Sequence, residues 1–309
     1  MTTRPAPRLS LGPVLFNWSP EIWRDSYFRI ADEAPVDAVH LGEVVCSKRE
    51  PFFESVLPDV VDRLTAAGKT VILSTLALVT SPQERARIQV TASDDTWAIE
   101  ANDLATAALL AGRPHVVGPF VSTYNEGTLD YLAAKGATRV CLPSELSGEA
   151  LACLASHRDQ STFPGLELEV QAFGRLPLAL SSRCYHARSR GLHKDGCQYV
   201  CGEDPDGMAV STLDDQDFLA VNGTQTMSFR HLALLPELGD LARMGIDWFR
   251  LWPHRCDMVR VAQLYRDVLD GRKGSQDAMA ELEELLPEAQ FANGYFHGRT
   301  GHEWVEGTV

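Results

Sequence analysis

The sequence predicts an α/β protein whose parallel strands close into an eight-stranded barrel. Three observations support this fold class: short β-rich runs alternate with longer helical patterns, the alternation repeats eight times, and it is interrupted once, after the seventh strand. Such alternation is typical of a mostly parallel sheet, and eight units match a (β/α)8, TIM-barrel-like architecture. An open doubly wound sheet is the alternative, but no G-x-G-x-x-G motif follows the first strand to favour it.

The eight predicted strands are apolar runs that helical patterns separate. They lie at 12–16, 38–43, 70–75, 97–101, 115–120, 139–143, 166–174 and 246–252. The intervening segments place apolar residues at helical spacing. Ser81 and Pro82 predict one helix start, and Gly68 predicts a helix end. We therefore expect a single TIM-barrel-like domain over 1–309.

Two segments fall outside this regular alternation. The first is a cysteine-bearing insertion over about 175–245, and the second is a C-terminal tail over about 272–309. Within the insertion, "FLAVNGTQTMS" predicts a strand that runs into an Asn-Gly turn. The stretch "HLALLPELGDLARMG", residues 231–245, predicts a helix.

The charge and hydropathy of the chain argue against broad nucleic-acid binding and against a membrane-spanning segment. The 309 residues carry 28 basic and 42 acidic side chains, so the net charge is 28 − 42 = −14, which disfavours broad contact with a nucleic-acid backbone. No run approaches the roughly 18 apolar residues of a membrane span. The N-terminal stretch lacks the apolar core of a signal peptide, so we expect a cytoplasmic protein.

The stretch "SSRCYHARSRGLHKDGCQYVC" holds Cys184, Cys197 and Cys201 in the spacing C-x12-C-x3-C. Cys46 follows the second predicted strand, and in a parallel barrel it emerges at the same end as the insertion. In a reducing cytoplasm, clustered cysteines are typical of metal sites or catalysis. The other three, Cys141, Cys153 and Cys256, are interpreted as small buried hydrophobes or incidental thiols, with Cys153 on an apolar helix face.

Four thiolates suit either zinc or an iron–sulfur cluster, and unligated redox thiols are a third possibility. The chain has only one close cysteine pair, whereas structural zinc sites usually have two. It also lacks the C-x3-C-x2-C trio of radical enzymes that bind an iron–sulfur cluster. Neither fact decides between zinc and a cluster. The surrounding basic residues favour the cluster, because a cluster held by four thiolates is anionic. These residues are Lys48, Arg49, Arg183, Arg188, Arg190 and Lys194.

Three polar residues just past strand ends are weaker candidates for catalysis. Glu43, Asn125 and Glu145 would share one rim of a barrel, where they could position substrate or transfer protons. Helix capping is the alternative interpretation, above all for Asn125. His186 and His193 lie between the cysteines; we expect them to lie outside the ligand set, since four cysteines already supply it.

Several stretches together resemble the collagenase-like peptidase family, and in particular its branch that acts in oxygen-independent ubiquinone biosynthesis. The resemblance runs from about Leu9 to Gly298, and the cysteine spacing is its most specific part. The stretches are "LSLGPVLFNW", "VHLGEVVCSKR", "TVILSTLALV", "LPLALSSRCYHAR", "VNGTQTMS" and "NGYFHG".

The resemblance implies a cofactor, a reaction and partners. Cys46, Cys184, Cys197 and Cys201 would hold a 4Fe–4S cluster. The chain would pair with a homologous subunit that carries its own cluster, and the pair would hydroxylate the aromatic ring of a polyprenylated ubiquinone precursor without molecular oxygen. A lipid-binding accessory protein would present this hydrophobic substrate.

Two other functions stay open from the residues themselves. One is a non-catalytic electron-transfer or scaffold subunit that serves its partner. The other is proteolysis, although the chain lacks H-E-x-x-H and G-x-S-x-G motifs. The stretch "LEVQAFGRLPLALSSRC" also departs from the signature of the peptidase members, with Gln171 where a glutamate is expected.

Overall fold

A computed structural model of the chain describes residues 5–306. The strands of this part are β1 (Arg8–Leu11), β2 (Ala38–Leu41), β3 (Thr70–Ser74), β4 (Ala98–Ala101), β5 (His115–Val117), β6 (Ala137–Cys141), β7 (Glu167–Leu180), β8 (Met208–Ser211), β9 (Asp217–Asn222), β10 (Gln225–Ala233), β11 (Trp248–Leu251) and β12 (Phe291–Ala292). Its helices are α1 (Pro20–Glu33), α2 (Leu57–Ala66), α3 (Pro82–Ser93), α4 (Leu104–Leu109), α5 (Glu126–Ala134), α6 (Gly148–Gln160), α7 (Tyr185–Ser189), α8 (Leu238–Met244), α9 (Met258–Leu269) and α10 (Ser275–Leu285).

Eight strands form a closed parallel barrel. Strands β1 to β7 are neighbours in chain order, and β11 closes the sheet because it pairs in parallel with both β7 and β1. Helices α1 to α6 connect successive strands, while α8 precedes β11 and contacts α6 and α9. The predicted fold class, a (β/α)8 barrel, is therefore confirmed. All carboxyl ends of the barrel strands lie at one rim.

Strand β7 extends beyond the barrel and starts a second, antiparallel layer. Its final residues pair with β10, with Leu180 opposite Gln225, and β10 pairs with β9, which pairs with β8. The two-residue turn between β9 and β10 is Gly223–Thr224, one residue later than the predicted Asn-Gly turn, because Asn222 still pairs with Gln225. Between β7 and β8 lie α7 and two short 3-10 turns, at 194–196 and 200–202. This layer rises from the rim of the barrel.

Two predicted elements were wrong. The first strand is Arg8–Leu11, and the predicted run 12–16 instead follows it as a loop, beginning where Gly12 N donates to Leu251 O at 2.8 Å. The predicted helix at 231–245 begins only at Leu238, because its first residues complete β10. In both cases the tertiary pairing partner decided the conformation of a short apolar run.

Helix starts agree more closely with the sequence. Ser81 caps α3 with a full capping box, in which Glu84 N donates to Ser81 Oγ at 3.2 Å and Ser81 N donates back to the Glu84 carboxylate at 2.9 Å. Glu84 also accepts from Ser47 Oγ at 2.6 Å, which ties α3 to the residue after Cys46.

The C-terminal segment packs back onto the barrel. Strand β12 pairs with β10, and Asn293 Nδ2 donates to Glu237 Oε1 at 2.9 Å. His297 Nε2 lies 2.9 Å from the same carboxylate oxygen. Within residues 5–306, none of the helices combines the length and the apolar content that crossing a membrane requires.

The barrel interior contains a buried ionic network centred on Arg250. Its NH2 group lies 2.5 Å from Glu100 Oε1 and 2.7 Å from Glu169 Oε2, and all three side chains are essentially inaccessible. His40 Nε2 lies 3.3 Å from the same NH2 group. Burial alone would raise the pKa of Glu100, but the charge of Arg250 and the hydrogen bonds with His40 and Ser74 hold it well below its ordinary value. Arg250 on β11 therefore binds carboxylates from β4 and β7 and stabilises closure of the barrel.

Arg250→Met should destabilise the protein strongly. Removing the guanidinium leaves two buried carboxylates without their counter-charge, which typically costs about 3–5 kcal/mol. The free energy of unfolding, measured in urea at pH 7, should fall by that amount. The matched change Arg243→Met, on an exposed side chain of α8, should alter it by less than about 1 kcal/mol.

The Arg250→Met deficit should also depend on pH. In the native protein the pKa of Glu100 is lowered from 4.5, so its contribution is fully present above about pH 4.5 and is lost on further acidification. In the variant, burial raises the pKa of the unpaired carboxyls, so the folded state binds protons that the unfolded state does not. The deficit should therefore shrink between pH 7 and pH 5. A pH-independent deficit would contradict the ionic assignment.

Candidate functional site

The four predicted cysteine ligands line one small, partly enclosed cavity at the rim of the barrel. We call it the cysteine cavity. Cys46 comes from the loop after β2, and the other three come from the segment between β7 and β8. The residues that line it are Cys46, Lys48, Arg49, Cys184, Lys194, Cys197, Tyr199, Val200, Cys201 and Gly223.

Cys46 is positioned by the buried carboxylate of Glu43. Glu43 Oε1 accepts from the backbone N–H groups of Val45 and Cys46, each at 2.8 Å. Cys46 then leads into a 3-10 turn, in which Arg49 N donates to Cys46 O at 2.9 Å. Burial raises the pKa of the Cys46 thiol, and the Arg49 guanidinium opposes that rise. The role of Glu43 is thus to orient the loop that carries the first cysteine.

Cys184 stands at the start of α7, where its sulfur accepts from Ala187 N at 3.3 Å. Between the end of β7 and this helix, Ser181 N donates to Thr224 O at 3.0 Å, which ties the segment to the turn between β9 and β10. Burial raises the pKa of the Cys184 thiol as well. The antiparallel layer therefore sets where the second cysteine lies.

Cys197 and Cys201 are joined by a strained turn. Gln198 and Tyr199, with φ of 50° and 55°, adopt the left-handed conformation, which costs a non-glycine residue roughly 1–3 kcal/mol. The Tyr199 ring packs edge-on against Phe52, with ring centroids 4.7 Å apart. Across this turn Val200 N donates to Cys197 O at 3.2 Å, and both cysteines line the same cavity.

The loop after β2 and the segment after β7 are held together by bonds between them. Lys48 Nζ donates to Lys194 O at 2.7 Å, and Thr224 Oγ1 donates to Val45 O at 3.0 Å. On the other side of the turn, His186 N donates to Gly223 O at 3.3 Å. The cysteines on the two segments are therefore fixed relative to one another by protein contacts.

Only some of the basic residues of the sequence surround the cavity. Lys48, Arg49 and Lys194 line it. Arg183, Arg188 and Arg190 are exposed side chains, and Arg190 pairs with Glu203 at 3.1 Å. The expectation that the arginines of the cysteine loop surround the thiols is thus wrong for these three: their side chains extend into solvent.

The two histidines between the cysteines bond to other protein groups. His186 is buried, and its Nε2 lies 2.8 Å from Asp204 Oδ2; burial lowers its pKa, which this carboxylate partly offsets. His193 Nδ1 accepts from Gly196 N at 3.1 Å at the start of a 3-10 turn. Both histidines help to shape the segment that carries the thiols.

The spacing of the thiols bears on which group they could hold. Four thiolates around one zinc at about 2.3 Å would lie about 3.8 Å apart. Within residues 5–306, the one set of three potential ligands whose donor atoms lie within 4.8 Å of one another is His40, Glu100 and Glu169, where Arg250 already supplies the positive charge. No three of the cysteine sulfurs in this part of the chain form such a set. Four thiolates beside three cationic side chains fit an anionic 4Fe–4S cluster.

The three other cysteines lie elsewhere. Cys141 is fully buried in β6, and burial raises the pKa of half-buried Cys256 to about 12. Cys153 was expected on an apolar helix face, but it is exposed, and its sulfur lies 3.2 Å from Glu126 Oε1. Cys153 lies on the face of α6 beside α5, and the helical pattern in the sequence did not distinguish this face from the one that packs on the barrel.

A second cavity, which we call the barrel-mouth cavity, lies at the carboxyl ends of β3, β5, β6 and β7. Tyr124 OH lies 3.5 Å from Glu145 Oε1, and burial together with this carboxylate raises the pKa of Tyr124. Gln171 Oε1 accepts from Trp252 Nε1 at 2.8 Å. The lining residues are Ala77, Pro119, Phe120, Ser122, Tyr124, Pro143, Ser144, Glu145, Gln171, Pro177, Leu178, Ala179 and Leu180. The lining thus offers hydroxyl, carboxylate and amide groups, and none of its residues is basic.

Asn125 behaves as the capping interpretation predicts. Its side-chain oxygen accepts from Thr128 N at 2.9 Å and so starts α5. Of the three rim candidates, Glu145 lines the barrel-mouth cavity, Glu43 holds the Cys46 loop, and Asn125 serves the helix.

The two cavities are neighbours through the backbone. Leu180 lines the barrel-mouth cavity, and Cys184, four residues later, lines the cysteine cavity. On the opposite side, Ala77 N donates to Val44 O at 2.9 Å, two residues before Cys46. A ligand in the barrel mouth would therefore lie beside the loops that carry the thiols.

The sequence did not single out three of the residues that build this site. They are Tyr124 in the barrel mouth, and Asn222 and Gly223 beside the thiols. The Asn-Gly pair predicted a turn, and this was the one sequence signal that marked Asn222 and Gly223. Nothing in the local sequence connected the turn to Arg49, which lies 173 positions earlier in the chain than Asn222.

Comparison with known proteins places the chain in a family. Residues 26–306 match the family model described as peptidase family U32. A chain of the tryptophan synthase complex from Pyrococcus furiosus is similar at 12% identity and a TM-score of 0.42, over 92% of this chain and 100% of that one. D-psicose 3-epimerase from Clostridium cellulolyticum is similar at 10% identity and a TM-score of 0.37, over 90% and 99%. Such distant likenesses say nothing about activity.

Glu43→Ala should weaken the fold around Cys46. The change removes the acceptor for two buried N–H groups, which costs about 1–3 kcal/mol for an unsatisfied donor. The free energy of unfolding in urea should fall by at least that amount, and Glu43→Gln, which keeps an acceptor oxygen, should lose less. Glu54→Ala, at an exposed carboxylate after the same 3-10 turn, is the control. Equal losses for Glu43→Ala and Glu54→Ala would contradict the positioning role.

Proposed function

This chain belongs to peptidase family U32, and from that premise we propose that it is the iron–sulfur subunit of a UbiU–UbiV-type complex, in the position of UbiV. Such a complex hydroxylates the aromatic ring of polyprenylated ubiquinone precursors without molecular oxygen. One observation carries the proposal: four cysteines from two distant segments line a single cavity together with a buried arginine.

In this proposal the four thiolates of Cys46, Cys184, Cys197 and Cys201 hold a 4Fe–4S cluster. When bound, such a cluster supplies one-electron transfer. Glu43 keeps the Cys46 loop in place through two backbone hydrogen bonds. Lys48, Arg49 and Lys194 line the same cavity and offset the negative charge of four thiolates.

The substrate ring, in the same proposal, binds in the barrel-mouth cavity. Its lining offers a phenol hydroxyl, a carboxylate and two serine hydroxyls, with apolar walls from prolines and leucines. A phenolic ring is uncharged and bears hydroxyl groups, so these groups suit it. The polyprenyl tail is presented by a lipid-binding accessory protein, and a UbiU-like homologous subunit completes the heterodimer.

Electron transfer or scaffolding without substrate chemistry is the second candidate function. One observation favours it: although the two cavities are neighbours, no residue lines both of them. A chain of this kind would need its cysteines but not its barrel-mouth polar groups.

Metal analysis should show about four irons and four sulfides per chain when the protein is purified without oxygen. Cys46→Ala, Cys184→Ala, Cys197→Ala and Cys201→Ala should each lose the cluster or retain much less of it, because each removes one thiolate ligand. Cys153→Ala and Cys256→Ala should keep full iron and sulfide, since these thiols lie outside the cavity. One zinc without sulfide in the native chain would make the site a structural staple and refute the proposal.

Ubiquinone formed without oxygen should separate the two candidate functions. In cells whose sole copy is Glu145→Ala or Tyr124→Phe, ubiquinone should fall several-fold and hydroxylation intermediates should accumulate, because each change removes a hydrogen-bonding partner of the ring. The measurement is quinone content by mass spectrometry, with Glu149→Ala on α6 as the control. Unchanged ubiquinone in both variants, with loss in the four cysteine variants, would assign electron transfer or scaffolding instead. Gelatin hydrolysis by the native chain would support a peptidase.

A further inference from the structure

Arg49 is the buried cation of the cysteine cavity. Its side chain is only 2% exposed, although it lies in a short 3-10 turn three residues after Cys46. Its NH1 group donates to Leu15 O at 2.8 Å, and its NH2 group donates to Asn222 Oδ1 at 2.8 Å. Two acceptors from distant parts of the chain thus fix the plane of the guanidinium.

The guanidinium faces the thiols. Arg49 lines the cysteine cavity beside Cys201, which is also buried. The Arg49 guanidinium interacts with the side chains of Cys201, Glu43 and Cys46. An arginine keeps its proton at every pH at which a protein is folded, so Arg49 carries a permanent positive charge.

Gly223 makes room for this arrangement. It has a φ of +63°, and a Cβ atom at this position would lie 2.5 Å from Arg49 NH2. The preceding residue, Asn222, supplies the acceptor for the same NH2 group, and its own Nδ2 donates to Leu15 O at 2.6 Å. The turn between β9 and β10 thus forms the pocket that holds the guanidinium against the cavity.

The other cations near the thiols differ from Arg49 in their exposure. The Lys48 side chain is 31% exposed and extends to Lys194 O and to Asp195, which is itself exposed. Lys194 is partly exposed as well. Solvent and salt screen such charges strongly, whereas a buried charge acts through a lower effective dielectric constant. Among the cations of the cavity, Arg49 should therefore contribute most to the electrostatic potential at the thiols.

We propose that Arg49, held in place by Asn222 and Gly223, is the positioning residue that sets the reduction potential of the cluster on the four cysteines. The inference rests on the proposed function, since it requires a cluster. Reduction of a cluster by one electron adds one negative charge, so a fixed positive charge stabilises the reduced form more than the oxidised form and raises the potential.

The test is an anaerobic redox titration with dithionite as the electron donor, followed by absorption and electron paramagnetic resonance. Arg49→Gln and Lys48→Gln remove the same charge from neighbouring positions of one cavity. The midpoint potential should become clearly more negative in Arg49→Gln and change little in Lys48→Gln. Gly223→Ala, which keeps the charge but displaces the guanidinium, should shift the potential in the same direction as Arg49→Gln.

Several outcomes would overturn the inference. Equal potentials in Arg49→Gln and Lys48→Gln would remove the special role of burial. If Arg49→Gln does not retain a cluster, Gly223→Ala decides, because it keeps the charge but moves it: a native potential in this variant would refute tuning. Loss of the cluster from both variants, with Lys48→Gln intact, would make Arg49 a structural clamp only. Native protein without sulfide would refute the proposed function itself, whereas a loaded native protein with unchanged variant potentials would refute only this inference.

Discussion

Closure of the parallel sheet by β11 is the constraint on which the rest of the structure depends. The strand pairs with both β1 and β7, and it carries Arg250 into the interior, where the guanidinium meets carboxylates from β4 and β7. Removing either partner of such a buried ion pair destabilises the protein, because the remaining charge is left buried and unpaired. Closure also brings the carboxyl ends of all eight strands to one rim, where both cavities lie.

The cysteine cavity depends on a second feature, the continuation of β7 out of the barrel. Because β10 pairs with this extension, the turn at Gly223–Thr224 comes to lie over the loop after β2. There it bonds to Val45 on one side and to His186 on the other. The antiparallel layer is thus the scaffold that joins Cys46 to the three cysteines of the later segment.

Charge is distributed unevenly between the whole molecule and this site. The chain carries a net charge of −14, yet the cysteine cavity is lined by three cations and no carboxylate. An arrangement of this kind suits an anionic occupant and disfavours a cationic one. The barrel-mouth cavity has the opposite character, with one carboxylate and no cation. The two neighbouring cavities are therefore suited to chemically different groups.

The sequence by itself determined the fold class and the group of candidate thiols. Strand and helix periodicity is a local property, so the sequence predicted the eight strand–helix units and the interruption after the seventh. The cap at Ser81 and a turn near Gly223 are local features too, and they were predicted for the same reason. Tertiary structure alone decided which basic side chain is buried, which rim residue lines a cavity, and that 12–16 is a loop. The physical reason is that burial and strand pairing depend on partners far apart in the chain: Arg49 is buried because Leu15 and Asn222 supply its acceptors, and no local pattern contains that information.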